Sequence, residues 1–111
     1  MYKLFSGTSN PSLSQEVAEL LKHPLSESEV VRFDNSEVRV KINEDVKNDT
    51  SIVIQTGANP TDSSYMELFL FCDALRRSEA KKVVAFIPYL GYARQNIQHR
   101  DGECVSIHVI I

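Results

Sequence analysis

Residues 89–95, YLGYARQ, gather two tyrosines, a glycine, an arginine and a glutamine in one short run. Arginine presents a planar fork of N–H donors that matches phosphate oxygens. Glutamine adds a donor and an acceptor, tyrosine offers a flat apolar ring with a polar tip, and a glycine lets backbone come close to a ligand. Such a set is suited to holding a planar, phosphate-bearing molecule. Other chemistry-bearing residues are less organised. His23, His99 and His108 are scattered, without Cys or carboxylate partners at ligand spacing, so no protein-built metal site is expected. Cys72 and Cys104 fall in an apolar helical pattern and a polar loop, and nothing in their spacing suggests a bridge. SGT at 6–8 is too short for a P-loop and reads as a turn.

The elements that must position YLGYARQ follow from hydrophobic periodicity. Tyr2 to Phe5 is a short strand candidate; SGTSNPS behind it supplies a turn and a helix start, with Asn10 as N-cap and Pro11 at the first helical position. Leu13, Val17, Leu20 and Leu21 are expected on one helical face. From Glu29 the period becomes two, and Val38, Val40 and Ile42 alternate with Arg39 and Lys41 after the polar DNSE, which predicts a hairpin over 29–42. SIVIQ at 51–55 suits a strand buried on both faces, TGANPTDSS a loop, and Tyr65 to Leu75 a helix apolar almost all round. VVAFI at 83–87 is expected to be a second buried strand. Glu67 and Asp73 are expected to be packing-face or interface ions rather than catalytic carboxylates. The order implies an α/β domain with a mainly parallel sheet flanked by helices and a projecting β-hairpin. In such sheets ligands bind beyond the carboxyl ends of the strands, where YLGYARQ falls.

With 111 residues the chain holds one domain. A net charge of -3 argues against nucleic acid as a partner, since phosphate backbones demand a clustered basic excess. MYKLFSGTSN has no apolar signal-peptide core, and no run reaches bilayer length, so a cytoplasmic location away from membranes is expected.

SGTSNPSLSQEVAELL, RFDNSEVRVKI and MELFLFCDALRRSEAKKVVAFIPYLGYARQ succeed one another in the order and spacing of the N-terminal half of ribose-phosphate pyrophosphokinases. IPYLGYARQ resembles that family's IPYFGYARQ. The resemblance covers nearly the whole chain and implies a phosphoribosyltransferase-like fold. It also implies transfer of diphosphate from ATP to ribose 5-phosphate, with Mg2+ accompanying the nucleotide. Phosphoryl transfer of this kind depends on positioned oxygens and charge neutralisation more than on covalent help. By the resemblance, Arg94 and Gln95 contact ATP. Phe33, Asn35 and Glu37 then form a hairpin tip that serves the adenine side of a neighbouring subunit's site. A homo-oligomer with hairpin 29–42 at an interface is implied.

Some residues depart from the family pattern. Asn35-Ser36 replaces an Asp-Gly before Glu37, which alters the turn's tolerance for positive φ. Asn96-Ile97-Gln98 replaces an Asp followed by basic residues, so two phosphate-facing cations are missing, with His99 and Arg100 as partial substitutes. GECVS at 102–106 keeps the family's register. SIHVII opens what should be the next helix, so residues 1–111 are expected to be an N-terminal portion, ending before the catalytic second half and inactive alone. The competing expectation is a non-catalytic, synthetase-like subunit, for which Ile97 and Gln98 are the motivating residues.

Overall fold

A computed structural model describes all 111 residues. The chain forms β1 (Tyr2–Ser6), α1 (Pro11–Leu21), β2 (Ser28–Arg32), β3 (Val38–Ile42), β4 (Thr50–Ile54), α2 (Thr61–Arg77), β5 (Lys82–Phe86) and α3 (Ser106–Ile110). Strands β1, β4 and β5 make a parallel sheet in the order β1-β4-β5. Strands β2 and β3 pair separately as an antiparallel hairpin, Ser28 opposite Ile42 and Arg32 opposite Val38. The expected mixed α/β architecture is what the chain adopts.

The sheet is covered on both faces. On one, α2 and the hairpin enclose Phe5, Val46, Val53, Tyr65, Leu68, Phe71 and Leu75. On the other, Ala18 of α1 packs on Leu4 and Ile54. Asn10 caps α1 as expected: its Oδ1 accepts from Leu13 N–H at 3.2 Å, and Pro11 follows where a missing N–H costs nothing.

Four expectations need correction. The apolar face assigned to α1 is only partly buried: Ser14 and Ala18 meet the sheet, while Leu20 is 84% and Leu21 52% exposed. Small residues one turn apart let α1 lie close to the strands, while Leu20 and Leu21 are turned to solvent. Helix α2 begins at Thr61, inside the segment expected to be a loop, with Asp62 in its first turn where the helix dipole favours negative charge. It is also one-sided, because Met66 and Phe69 stand outside the core.

Strand β5 is not buried on both faces. It is the sheet's edge, and Ala85 and Phe86 are exposed. Registers of Ile52 with Val84 and Ile54 with Phe86 put Val84 and Phe86 on the face where α1 packs, and Ala85 on the α2 face. There α1 reaches only as far as β1 and β4. His23 is structural: its ring stacks on Tyr2 at 4.3 Å, and its two nitrogens lie 3.1 Å from the carbonyl oxygens of Tyr2 and Pro24. Cys72 and Cys104 are both free thiols. Burial pushes the Cys72 thiol up, with Arg76 opposing.

Candidate functional site

All three strands of a parallel sheet end at the same edge, so their following loops meet there. Gly7 N–H donates to Ile54 O at 2.9 Å, Gln55 N–H to Phe86 O at 3.1 Å and Gly57 N–H to Tyr89 O at 2.8 Å. These bonds sew the β1, β4 and β5 loops side by side. The last two loops also touch through glycines: a Cβ on Gly91 would lie 2.3 Å from Gly57 O, and one on Gly57 would lie 2.9 Å from Gly91 N. Tyr65 of α2 fastens the contact from below, its hydroxyl donating to Gly91 O at 2.7 Å. Burial raises the Tyr65 pKa, so the ring keeps the proton that it donates.

Beyond Gly91 the chain turns at Tyr92, whose φ of 70° is a left-handed conformation that a bulky residue adopts only under surrounding constraint. The constraint is visible: Tyr92 hydroxyl donates to Asp62 at the start of α2, a bond that raises the Tyr92 pKa. The turn delivers Arg94 and Gln95 into a cleft of about 310 Å³ lined with Thr61, Tyr89 and Tyr92. Arg94 is exposed and enters none of the chain's seven ion pairs. Its guanidinium is free to meet an anion. Gln95 is held in one orientation, since its Oε1 accepts from Ser106 Oγ and its backbone oxygen from Ile107 N–H. The side-chain amide is therefore left as a donor.

The other sequence-named residues lie elsewhere. Phe33 N–H donates to Glu37 O at 2.8 Å and closes the hairpin turn. Asn35 Oδ1 accepts from Glu37 N–H at 3.1 Å, and Asn35 Nδ2 donates to Glu37 Oε1 at 2.7 Å. Arg39 covers one face of Phe33 at 5.5 Å. Ser36, where the resemblance led to an expected glycine, still takes a φ of 75°. None of Phe33, Asn35 and Glu37 lines the cleft of Arg94 and Gln95. Of the two substitute cations, Arg100 is paired with Glu103 at 3.6 Å, and His99 borders a separate cleft with Gln95 and Glu103.

Sequence reasoning missed the role of Glu67. Its side chain is 1% exposed, and its oxygens accept from Thr8 N–H at 2.6 Å, Thr8 Oγ1 at 2.7 Å and Gln55 Nε2 at 3.1 Å. Gln55 Oε1 in turn accepts from Ser9 Oγ at 2.7 Å. Both donors of Thr8 in the 6–8 turn are therefore taken by the protein's own carboxylate. The partners come from positions 8, 55 and 67, and no local pattern could have joined them. Asp73 is exposed and paired with Arg77.

A family model for the N-terminal domain of ribose phosphate pyrophosphokinase matches residues 2–111. The chain belongs to the ribose-phosphate pyrophosphokinase family. It is 44% identical over 95 residues to the ribose-phosphate pyrophosphokinase of Campylobacter jejuni, covering 86% of this chain and 31% of that one. It is 40% identical over 108 residues to the chloroplastic ribose-phosphate pyrophosphokinase 2 of Arabidopsis thaliana, covering 97% and 27% respectively. The crystal structure of phosphoribosylpyrophosphate synthetase from Mycobacterium smegmatis superposes with a TM-score of 0.95 at 32% identity, over 98% of this chain and 37% of that one. The chain thus spans about a third of the length of the ribose-phosphate pyrophosphokinases that it matches. No helix is long and apolar enough to cross a membrane.

Proposed function

We propose that residues 1–111 form the ATP-binding side of a cytoplasmic enzyme that transfers the diphosphoryl group of ATP to ribose 5-phosphate, making phosphoribosyl pyrophosphate for nucleotide biosynthesis. The observation that carries the reading is Arg94, an unpaired guanidinium at the carboxyl end of β5 in a cleft walled by Tyr89 and Tyr92. Arg94 neutralises phosphate oxygens of the nucleotide, and Gln95 donates its oriented amide to the same group. No cluster of three His, Cys, Asp or Glu converges in the chain, so its donors do not fit a resident ion. Magnesium is proposed to arrive on the nucleotide's phosphates, as part of the substrate.

Because the hairpin tip stands apart from that cleft, Phe33, Asn35 and Glu37 are proposed to serve the site of a neighbouring copy in a homo-oligomer. Phe33 has one ring face covered by Arg39 and offers the other to a base, and Glu37 keeps Oε2 available as an acceptor. On its own, the chain is proposed to lack synthetase activity, because it matches only about a third of each relative. AMP release dependent on ribose 5-phosphate from the purified chain would overturn that statement.

The deciding experiment is calorimetric titration of ATP into the protein that carries this chain, wild type against Arg94→Ala. A charge-assisted hydrogen bond is worth about 1.5–3 kcal/mol, so affinity is expected to fall roughly tenfold to a hundredfold. Equal affinities would remove Arg94 from the site. A second reading, a non-catalytic synthetase-like subunit, is favoured by the Arg100–Glu103 pair and by the exposed Ile97, which leave phosphate with fewer cations. That reading expects ATP to be bound weakly by wild type and Arg94→Ala alike.

A further inference from the structure

Arg32 is the last residue of β2, and its guanidinium faces two ways. Nη1 donates to Ser36 O at 2.9 Å, inside the hairpin turn. Nη2 lies 3.7 Å from Oε1 of the buried Glu67, which is itself bonded to Thr8 and Gln55 at the sheet's carboxyl edge. A continuous path of polar contacts therefore runs from the loops beside the candidate cleft, through α2, to the tip of the hairpin. Without it the tip is tied only by bonds within the hairpin, such as Ser36 N–H to Phe33 O at 2.9 Å, and by Arg39 over the Phe33 ring.

We propose that Arg32 and Glu67 are positioning residues that fix the hairpin tip, and with it Phe33, Asn35 and Glu37, in the orientation that receives a nucleobase. The proposal rests on the ATP reading given above. Its physical basis is the contrast between the two partners. Glu67 is immobilised by burial and three hydrogen bonds, whereas the tip is exposed on every residue from Phe33 to Glu37. A planar fork can hold a carboxylate and a carbonyl at once, which a single ammonium cannot do with the same geometry. Arg32 itself is 40% exposed, so its energetic contribution to folding is small and its contribution to tip order is the larger effect.

The test is Arg32→Ala in the protein that carries this chain, with Glu67→Gln as the second variant. Arg32→Ala is expected to leave the thermal midpoint nearly unchanged and to speed amide exchange at Phe33 and Ser36 about tenfold without nucleotide, a size typical of one lost restraint on local opening. It is also expected to weaken ATP about tenfold while leaving inorganic tripolyphosphate unaffected, because a misplaced tip costs base contacts alone. Glu67→Gln should accelerate the same two amides. Unchanged tip exchange in Arg32→Ala overturns the proposal, as does equal weakening of ATP and tripolyphosphate. The exchange readout needs no nucleotide. A wild type that fails to take up ATP therefore sinks the function proposed above, and tip exchange then decides alone whether this pair holds the tip.

Discussion

Gly91→Ala is expected to lower stability by about 2–3 kcal/mol or more and, on the function proposed above, to remove ATP binding with it. The added Cβ would sit 2.3 Å from Gly57 O and 2.8 Å from Thr61 Cγ2. A flexible side chain could move aside from such a clash, but the first obstacle is backbone, held in turn by the Gly57 N–H bond to Tyr89 O. Relief requires the β4 and β5 loops to part. Parting them breaks the bond from Tyr65 hydroxyl to Gly91 O and moves the turn at Tyr92 that presents Arg94. A thermal melt is the check. For a domain of this size the shift should be on the order of 10 °C or more, and a midpoint within a degree or two of wild type would show that the loops have slack that the structure does not suggest.

Glu67→Ala is expected to be the costliest change outside the apolar core, at about 3–4 kcal/mol. Little of this comes from the ion pair with Arg32, whose partner is exposed enough to be solvated when released. The cost lies with Thr8 N–H, Thr8 Oγ1 and Gln55 Nε2, three donors that lose a charged acceptor in a region from which water is largely excluded. Gln55 is itself 2% exposed and cannot turn outward to recover the bond. Truncation also leaves a void beside Gly7, where an added Cβ would lie 2.9 Å from Glu67 Oε2. Urea unfolding measures the effect as a lowered midpoint at constant slope. A midpoint equal to that of wild type would mean that the network is decorative.

The parts of this molecule that could be read from sequence are those written in neighbouring residues. The Asn10–Pro11 helix start, the 29–42 hairpin and the SIVIQ strand each depend on chemistry within a few positions, and each appears where expected. Burial was read less well, because it depends on what lies opposite. VVAFI has the composition of a strand covered on both faces, yet β5 stands at an edge that α1 does not reach. Helix α1 shows the converse, with Ser14 and Ala18 inside and two leucines outside.

At the site, side-chain types in YLGYARQ suggested phosphate chemistry, and family resemblance singled out Arg94 and Gln95. The means by which those two are held were not legible. Gly57 and Gly91 are far apart in sequence and meet only after the β4 and β5 loops have folded. Glu67 read only as a packing-face or interface ion on a helix, and only assembly of α2 against the first turn makes it the acceptor for Thr8 and Gln55.

The glycine seam also separates what this protein can vary from what it must keep. Ile97 stands on exposed chain beyond Arg94, where replacement need not disturb the scaffold. Gly57 and Gly91 admit no such freedom, since the platform under Arg94 is defined there by atoms that are missing. Substitutions can accumulate along one stretch of loop while the foundation a few residues earlier stays fixed.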